Sequence, residues 1–304
     1  MKNLEVKEIP VDLSARHPRT KYSELPYHEF IFGLIAQKGS GKTTLICNLL
    51  NFYKGYFHSI VVFSPTVKND EKWDWVKKQN LLIENKPLKK WFKENKKKKA
   101  ENDVVYRGND IKDEVAEKYL NSRKTDKGKF DATIPEEFFI HEYDSSTLQE
   151  IIDEQQELID LLKEEGETKH LANRILFLFD DLVGSSLFSN HRKNPFKILN
   201  TLHRHLSSSL ILVSQAYKEI PKTIRTGFSC LVLFEIFNDQ EIDVIMKEYS
   251  MGMKKDNWMK AYDYAVKDPH SFLFYNMQKP RDLRLMKNFS EILMFKEENP
   301  HLIY

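Results

Sequence analysis

Between Ala36 and Thr44 the residues AQKGSGKTT set two glycines around a serine and follow them with a lysine and two threonines. That order suits phosphate chemistry. Gly39 and Gly41 can turn without a Cβ penalty, so the backbone amides of Gln37, Lys38, Gly39, Ser40 and Gly41 can converge on an anion at the mouth of a helix opening at Thr43. Lys42 would neutralise the β and γ phosphates of a nucleotide, and Thr43, with Thr44 beside it, would offer its hydroxyl to Mg²⁺. A strict phosphate loop of this kind begins with Gly, and this chain has Ala36 there. The plainer alternative is a chance Gly-Lys-Thr in a turn. It would not require an apolar run just before the loop or the helical spacing of Leu45, Ile46, Leu49 and Leu50 just after it, and both are present.

Three further positions bear on what happens to a bound phosphate. Asp180 and Asp181 close the apolar run RILFLF that starts at Arg174. The first carboxylate can orient Mg²⁺ through its water shell, and the second can polarise the water that attacks the γ-phosphate. Gln215 follows the run SLILVS and could sense the γ-phosphate from the ligand crevice of an open α/β sheet. An acid pair at a strand end is often a plain cap in isolation, but much less so downstream of a phosphate loop, whereas a lone glutamine there is about as often a solvated cap. Phosphoryl transfer also calls for an extra cation, often an arginine from a neighbouring subunit. Arg225 in PKTIRTG is the first candidate, with Arg204 and Arg192 as rivals, each against the reading of an ordinary surface arginine.

These residues need strands to carry them. The expected strands are His28–Ile35, Ser59–Phe63, Arg174–Phe179, Ser209–Val213 and Cys230–Phe237, with a last one over Ser271–Met277 before a polar C-terminal tail. The first two frame a β-α-β unit. Phe196, Leu199, Leu202 and Leu206 recur as in a crossover helix, and Gln240–Tyr249 and Asp256–Val266 also read as helices. The fold class is therefore α/β, with a mostly parallel central sheet flanked by helices. Residues 1–27 are a polar arm. Residues 28–304 form the main domain, interrupted at about 66–170 by a charged, largely helical insertion. Its first half carries Lys86, Lys89, Lys90, Lys93 and Lys96 to Lys99 around Trp91 and Phe92, which could meet DNA phosphates or form a solvated loop. Its second half holds an amphipathic helix over 148–162, read as a packing helix.

Forty-seven basic against forty-five acidic residues leave a net charge of +2, so any nucleic-acid contact must come from local patches rather than the overall field. Cys47 and Cys230 both sit in apolar segments, which argues for a reducing compartment and against a disulfide framework or a cysteine-based zinc site. Neither an apolar leader nor a membrane span is apparent, and the expected setting is soluble and intracellular.

Taken together, AQKGSGKTT, ILFLFDD, SLILVSQ and IPKTIRTGFSCLVLFEI resemble the poxvirus-type genome-packaging ATPases of large DNA viruses and virophages, within the FtsK/HerA superfamily. The resemblance covers roughly residues 28–64 and 172–240. It implies a RecA-like P-loop NTPase fold with the phosphate-loop strand next to the strand ending in Gln215. It further implies ATP and Mg²⁺ as ligands of Lys42, Thr43 and Asp180, Asp181 as the residue that activates water, and Gln215 as the polar sensor. The implied activity is ATP-driven movement of double-stranded DNA into a capsid by a homo-oligomeric ring, in host cytoplasm, a viral factory or the virion, with capsid proteins as partners and no membrane. Asp181 stands where many relatives of this class carry Glu. A cellular or plasmid DNA pump or helicase of the same superfamily remains an alternative, as does a non-motor P-loop switch or kinase. The adjacent carboxylates and Gln215 favour hydrolysis by water over a kinase.

Overall fold

The alternation of apolar residues along the central strands builds two cores, one on each face of a sheet. Ile31, Val61, Phe63, Phe177, Phe179, Leu210 and Leu212 pack on one side, while Phe32, Leu34, Ile60, Val62, Leu176, Leu178 and Ile211 pack on the other. Strands buried on both faces read as unbroken apolar runs, and for that reason they were legible. A computed structural model describes residues 17–83, 130–164 and 172–294, except 183, 190 and 192. The lysine cluster Lys86–Lys99 with Trp91 and Phe92, the rival Arg192 and residues 1–16 of the arm lie outside the described residues.

The sheet has nine strands in the order β11-β10-β9-β8-β1-β7-β6-β2-β5. They are β1 (Ile31–Ile35), β2 (Ser59–Phe63), β5 (Phe139–Ile140), β6 (Ile175–Asp180), β7 (Ser208–Ser214), β8 (Cys230–Leu233), β9 (Leu273–Asn276), β10 (Leu285–Lys287) and β11 (Glu291–Ile292), while β3 (Leu82–Ile83) and β4 (Phe130–Ala132) form a separate antiparallel pair. From β8 through β1, β7, β6 and β2 to β5 every neighbour is parallel, and β9, β10 and β11 add an antiparallel margin beside β8. The helices are α1 (Lys42–Phe52), α2 (Glu71–Lys77), α3 (Ser145–Glu164), α4 (Pro195–Leu202), α5 (Lys222–Arg225), α6 (Asp239–Tyr249) and α7 (Lys255–Val266). Helix α1 covers one face through Ile46, Leu49 and Leu50. The other face is covered by α3, α4, α6 and α7 through Leu148, Phe196, Ile245 and Trp258, among others.

Several boundaries differ from expectation for local reasons. Strand β1 starts at Ile31 rather than His28, because Glu29 turns to φ 68 and His28 is bound to Ser209 and Ser207 instead. Strand β8 stops at Leu233, and the sequence beyond it leads to the α6 cap at Asn238. Although β1-α1-β2 follow in sequence, β7 and β6 stand between the two strands. Within the span read as an insertion, Phe139–Ile140 joins the main sheet beside β2, and α3 places Leu148 and Ile152 in the main core. The end of the arm is tied down: Tyr53 and Tyr56 donate to the carbonyls of Pro26 and Pro18, Asn276 donates to that of Glu24, and Leu25 is buried. The polar stretch after Met277, expected to be a tail, supplies β10 and β11.

At the centre of β1, Gly33 is required by a neighbour. A Cβ there would lie 2.3 Å from the Phe228 ring, so the aromatic packs directly on the strand's backbone. Cys47 and Cys230 are free and buried; burial pushes the Cys47 thiol up to about 11 and holds that of Cys230 well above its ordinary range.

Candidate active site

Parallel register brings four strand ends to one edge. Ile35 lies opposite Ser214, Asp180 opposite Val213, and Phe63 opposite Phe179. The residues that follow, Ala36, Gln215, Asp181 and Ser64, therefore emerge together at the carboxyl end of the sheet, where open α/β sheets hold ligands.

The phosphate loop begins where the Ala36 amide donates to the Ser214 carbonyl at 3.0 Å. Ala36 is wholly buried and is not among the described residues with positive φ, so its methyl costs nothing where a strict pattern has glycine. Gly39 and Gly41 do need their freedom, with φ of 84° and 99°. Ser40 folds back on the loop, its amide and hydroxyl both donating to the Gln37 carbonyl. Helix α1 opens at Lys42, one residue before the expected start, with no side-chain cap at Gly41. An uncapped helix start turned toward the loop is suited to an anion. Gln37, Ser40, Gly41, Lys42 and Thr43 are half-buried, whereas Lys38, Gly39 and Thr44 are exposed.

Lys42 reaches across to the carboxylates. Its Nζ lies 3.3 Å from Asp181 Oδ2 and 4.0 Å from Asp180 Oδ1. The two acids occupy different environments. Asp180 is buried at 1% exposure, and its Oδ2 accepts from the Ser64 hydroxyl at 2.9 Å. Its Oδ1 is buried without a hydrogen-bond donor among the described residues. Burial pushes the Asp180 carboxyl above its ordinary value, partly offset by Lys42 and Ser64. A buried carboxylate oxygen lacking a donor fits a water held by a divalent cation, which would satisfy it and offset the cost of burying its charge. Asp181 is more open, takes φ 53°, and accepts from Gln215 Nε2 at 2.8 and 3.0 Å. Left-handed backbone is a conformation that Asp and Asn tolerate better than longer side chains. The short acid at this position thus agrees with its backbone.

Three of the expected groups, Lys42, the acid pair and Gln215, meet in one polar cluster, in which Gln215 is hydrogen-bonded to Asp181 and Lys42 is ion-paired with both acids. Arg225 is engaged elsewhere. It makes a two-pronged ion pair with Glu248 at 2.9 and 3.0 Å, donates to the Ile220 carbonyl, and lies over the Tyr217 ring at 4.8 Å. To serve a neighbouring subunit it would have to leave these partners. Arg204 is exposed and precedes the amino end of β7, the end of that strand remote from Gln215.

Two contributors escaped the sequence reading. Ser64 links Asp180 to Thr66 and, through Thr66, to the Trp73 indole, bracing the acid from the β2 side. A hydroxyl directly after SIVVF was visible, but the adjacency of β2 and β6 was not. Glu241 of α6 accepts from the amides of Tyr217 and Lys218 and so holds the segment that follows Gln215.

A glycine-hinged anion loop between a buried strand and a helix, facing a carboxylate pair on a strand separated from it by one other, defines a P-loop nucleotide-binding protein of the α/β class. More narrowly, residues 138–269 match the family described as Poxvirus A32 protein, a stretch that runs from β5 through both carboxylates and Gln215 to the end of α7. The resemblance drawn from the motifs is met by that match. No curated protein matches the chain. Among solved structures, it is similar to the genome packaging NTPase B204 of Sulfolobus turreted icosahedral virus 2 in complex with AMP (13% identity, TM-score 0.46, 87% of this chain and 98% of that one). Other similar structures are the cytoplasmic domain of the Thermomonospora curvata type VII secretion ATPase EccC (13%, 0.40, 87% and 25%) and the pCW3 conjugation coupling protein TcpA (15%, 0.34, 81% and 57%). Likenesses this distant do not bear on the chemistry. Among the described residues no helix is long and apolar enough to cross a membrane.

Proposed function

We propose that this protein is an ATP-hydrolysing motor that moves double-stranded DNA into a viral capsid, working as a ring of identical subunits in the host cytoplasm or a viral factory. The observation that carries the hydrolytic part is the Lys42–Asp181–Gln215 cluster beside the buried Asp180. The family match supports the packaging part. In this reading Lys42 leaves Asp181 for the phosphates when ATP enters the loop, and Asp181 is released to take the proton of the attacking water. Gln215 orients the freed carboxylate and reports the γ-phosphate. Thr43 and Asp180 would hold Mg²⁺, which neutralises charge on the phosphate oxygens. Arg225 carries an in-trans role only if it can exchange Glu248 for a neighbour's phosphate.

Steady-state ATP hydrolysis with and without double-stranded DNA tests this, with Lys42→Ala as the control for contaminating activity. DNA-stimulated turnover that disappears in the variant is the expected result. Turnover indifferent to DNA in an assembled oligomer would favour a nucleotide switch or a kinase and would defeat the motor.

A further inference from the structure

The turn between α7 and β9 brings His270 onto the phosphate loop, more than two hundred residues away in sequence. His270 Nδ1 lies 2.9 Å from the Ser40 carbonyl oxygen. Because a carbonyl can only accept, Nδ1 carries the proton in this contact. The ring also rests on Gly41, where an added Cβ would lie 3.1 Å from Nδ1.

The contact matters because of what the same peptide group does on its other side. In a planar trans peptide the Ser40 carbonyl and the Gly41 amide point in opposite directions. Holding the carbonyl outward therefore turns the Gly41 amide away from His270 and into the cradle, where a phosphate oxygen would accept from it. Little within the loop fixes that orientation. Gly41, at φ 99°, carries no Cβ to resist rotation of the peptide, and the Ser40 side chain is already committed to Gln37.

The turn that presents His270 is itself braced. Ser271 and Asp268 bond each other through both backbone and hydroxyl, and Lys287 of β10 pairs with Asp268. Phe272 is buried against Phe234, whose amide donates to the Ile35 carbonyl at the end of β1. The turn and the loop are thus anchored to the same strand end. His270 takes φ 63°, in the left-handed region where His, like Asn and Asp, is enriched.

We propose that His270 is a positioning residue for nucleotide binding, which fixes the Ser40–Gly41 peptide so that the Gly41 amide faces the phosphates. The antiparallel margin of the sheet thereby becomes part of the nucleotide site. This rests on the reading of residues 36–43 as a phosphate cradle.

The test compares wild type, His270→Ala and His270→Asn by calorimetric titration with ADP, by kcat and KM for ATP, and by melting without nucleotide. Asparagine tolerates the same backbone and carries a donor nitrogen on the same γ carbon, so it can replace the contact. His270→Ala should bind ADP about ten-fold more weakly, the scale of one hydrogen bond. Its KM should rise by a similar factor with kcat changed less than about two-fold, the mark of lost uniform binding. His270→Asn should return to within about two-fold of wild type and melt with it, while His270→Ala, which loses the resting contact and sets alanine at φ 63°, should melt slightly lower. Unchanged ADP affinity in His270→Ala overturns the proposal, as does failure of Asn to recover it. A shared drop in melting temperature without a change in affinity also overturns it, marking a purely structural turn. Lys42→Ala separates the two readings: if ADP binding survives it, the cradle reading fails and the proposal with it; if binding is lost there but untouched by His270→Ala, only the role of His270 fails.

Discussion

Asp181→Asn should do two opposite things at once. In the nucleotide-free protein Lys42 lies 3.3 Å from Asp181 at side-chain exposures of 16% and 27%, so ATP must draw the lysine out of an existing ion pair. A pair this accessible is screened and contributes about 0.5–1 kcal/mol net. Removing the negative charge should therefore tighten binding of a non-hydrolysable ATP analogue about two- to five-fold. The same change deletes the proposed base, a loss of about 10²- to 10⁴-fold in kcat. Asparagine keeps an acceptor for Gln215 and tolerates φ 53°, so neither effect should arise from misfolding. Titration with the analogue and single-turnover hydrolysis read the two effects separately. Normal hydrolysis would eliminate Asp181 as base, whereas affinity that is unchanged or weaker would refute the competition for Lys42.

Asp180→Asn should raise the melting temperature of the nucleotide-free protein at pH 7, because burial holds the Asp180 carboxyl above its ordinary value and its charge therefore opposes folding. The sign follows: the wild type suffers no such penalty below the ordinary carboxylate range and acquires it as pH rises, so the gain should shrink toward pH 4; a variant less stable at pH 7 would contradict this. Arg225→Ala distinguishes a brace from an in-trans finger. The geometry favours the brace, with about 2–3 kcal/mol lost in denaturant melts and a comparable, non-additive loss in Glu248→Ala. A 10³-fold fall in kcat with stability intact would favour the finger instead. Burial opposes the charge of Glu248, but its bonds from Arg225 and Tyr217 outweigh that and hold its carboxyl below the ordinary value. The stabilisation by the pair should accordingly be present at neutral pH and fade in acid, as the carboxylate titrates, which melts of wild type and Glu248→Ala from pH 7 to 3 would show.

What the chain settles by itself is local. The glycine spacing of the phosphate loop, the unbroken apolar strands and the carboxylates and glutamine at their ends can be read in order, because a strand buried on both faces and an anion loop each leave a contiguous signature. Even the meeting of Lys42, Asp181 and Gln215 follows once these strands are taken as parallel neighbours. Tertiary structure decided what depends on which strands are adjacent and where distant turns land. The Ser64 brace on Asp180 requires β2 beside β6, and the partnership of Arg225 with Glu248 requires α6 to pack against the segment after Gln215. The short strands Phe139–Ile140, Leu285–Lys287 and Glu291–Ile292 are too brief to carry a period, and they become strands because an open sheet edge offers them partners. His270 looks like any exposed histidine until the chain returns beside β8 and sets it on the Ser40 carbonyl, a contact that no spacing rule could disclose.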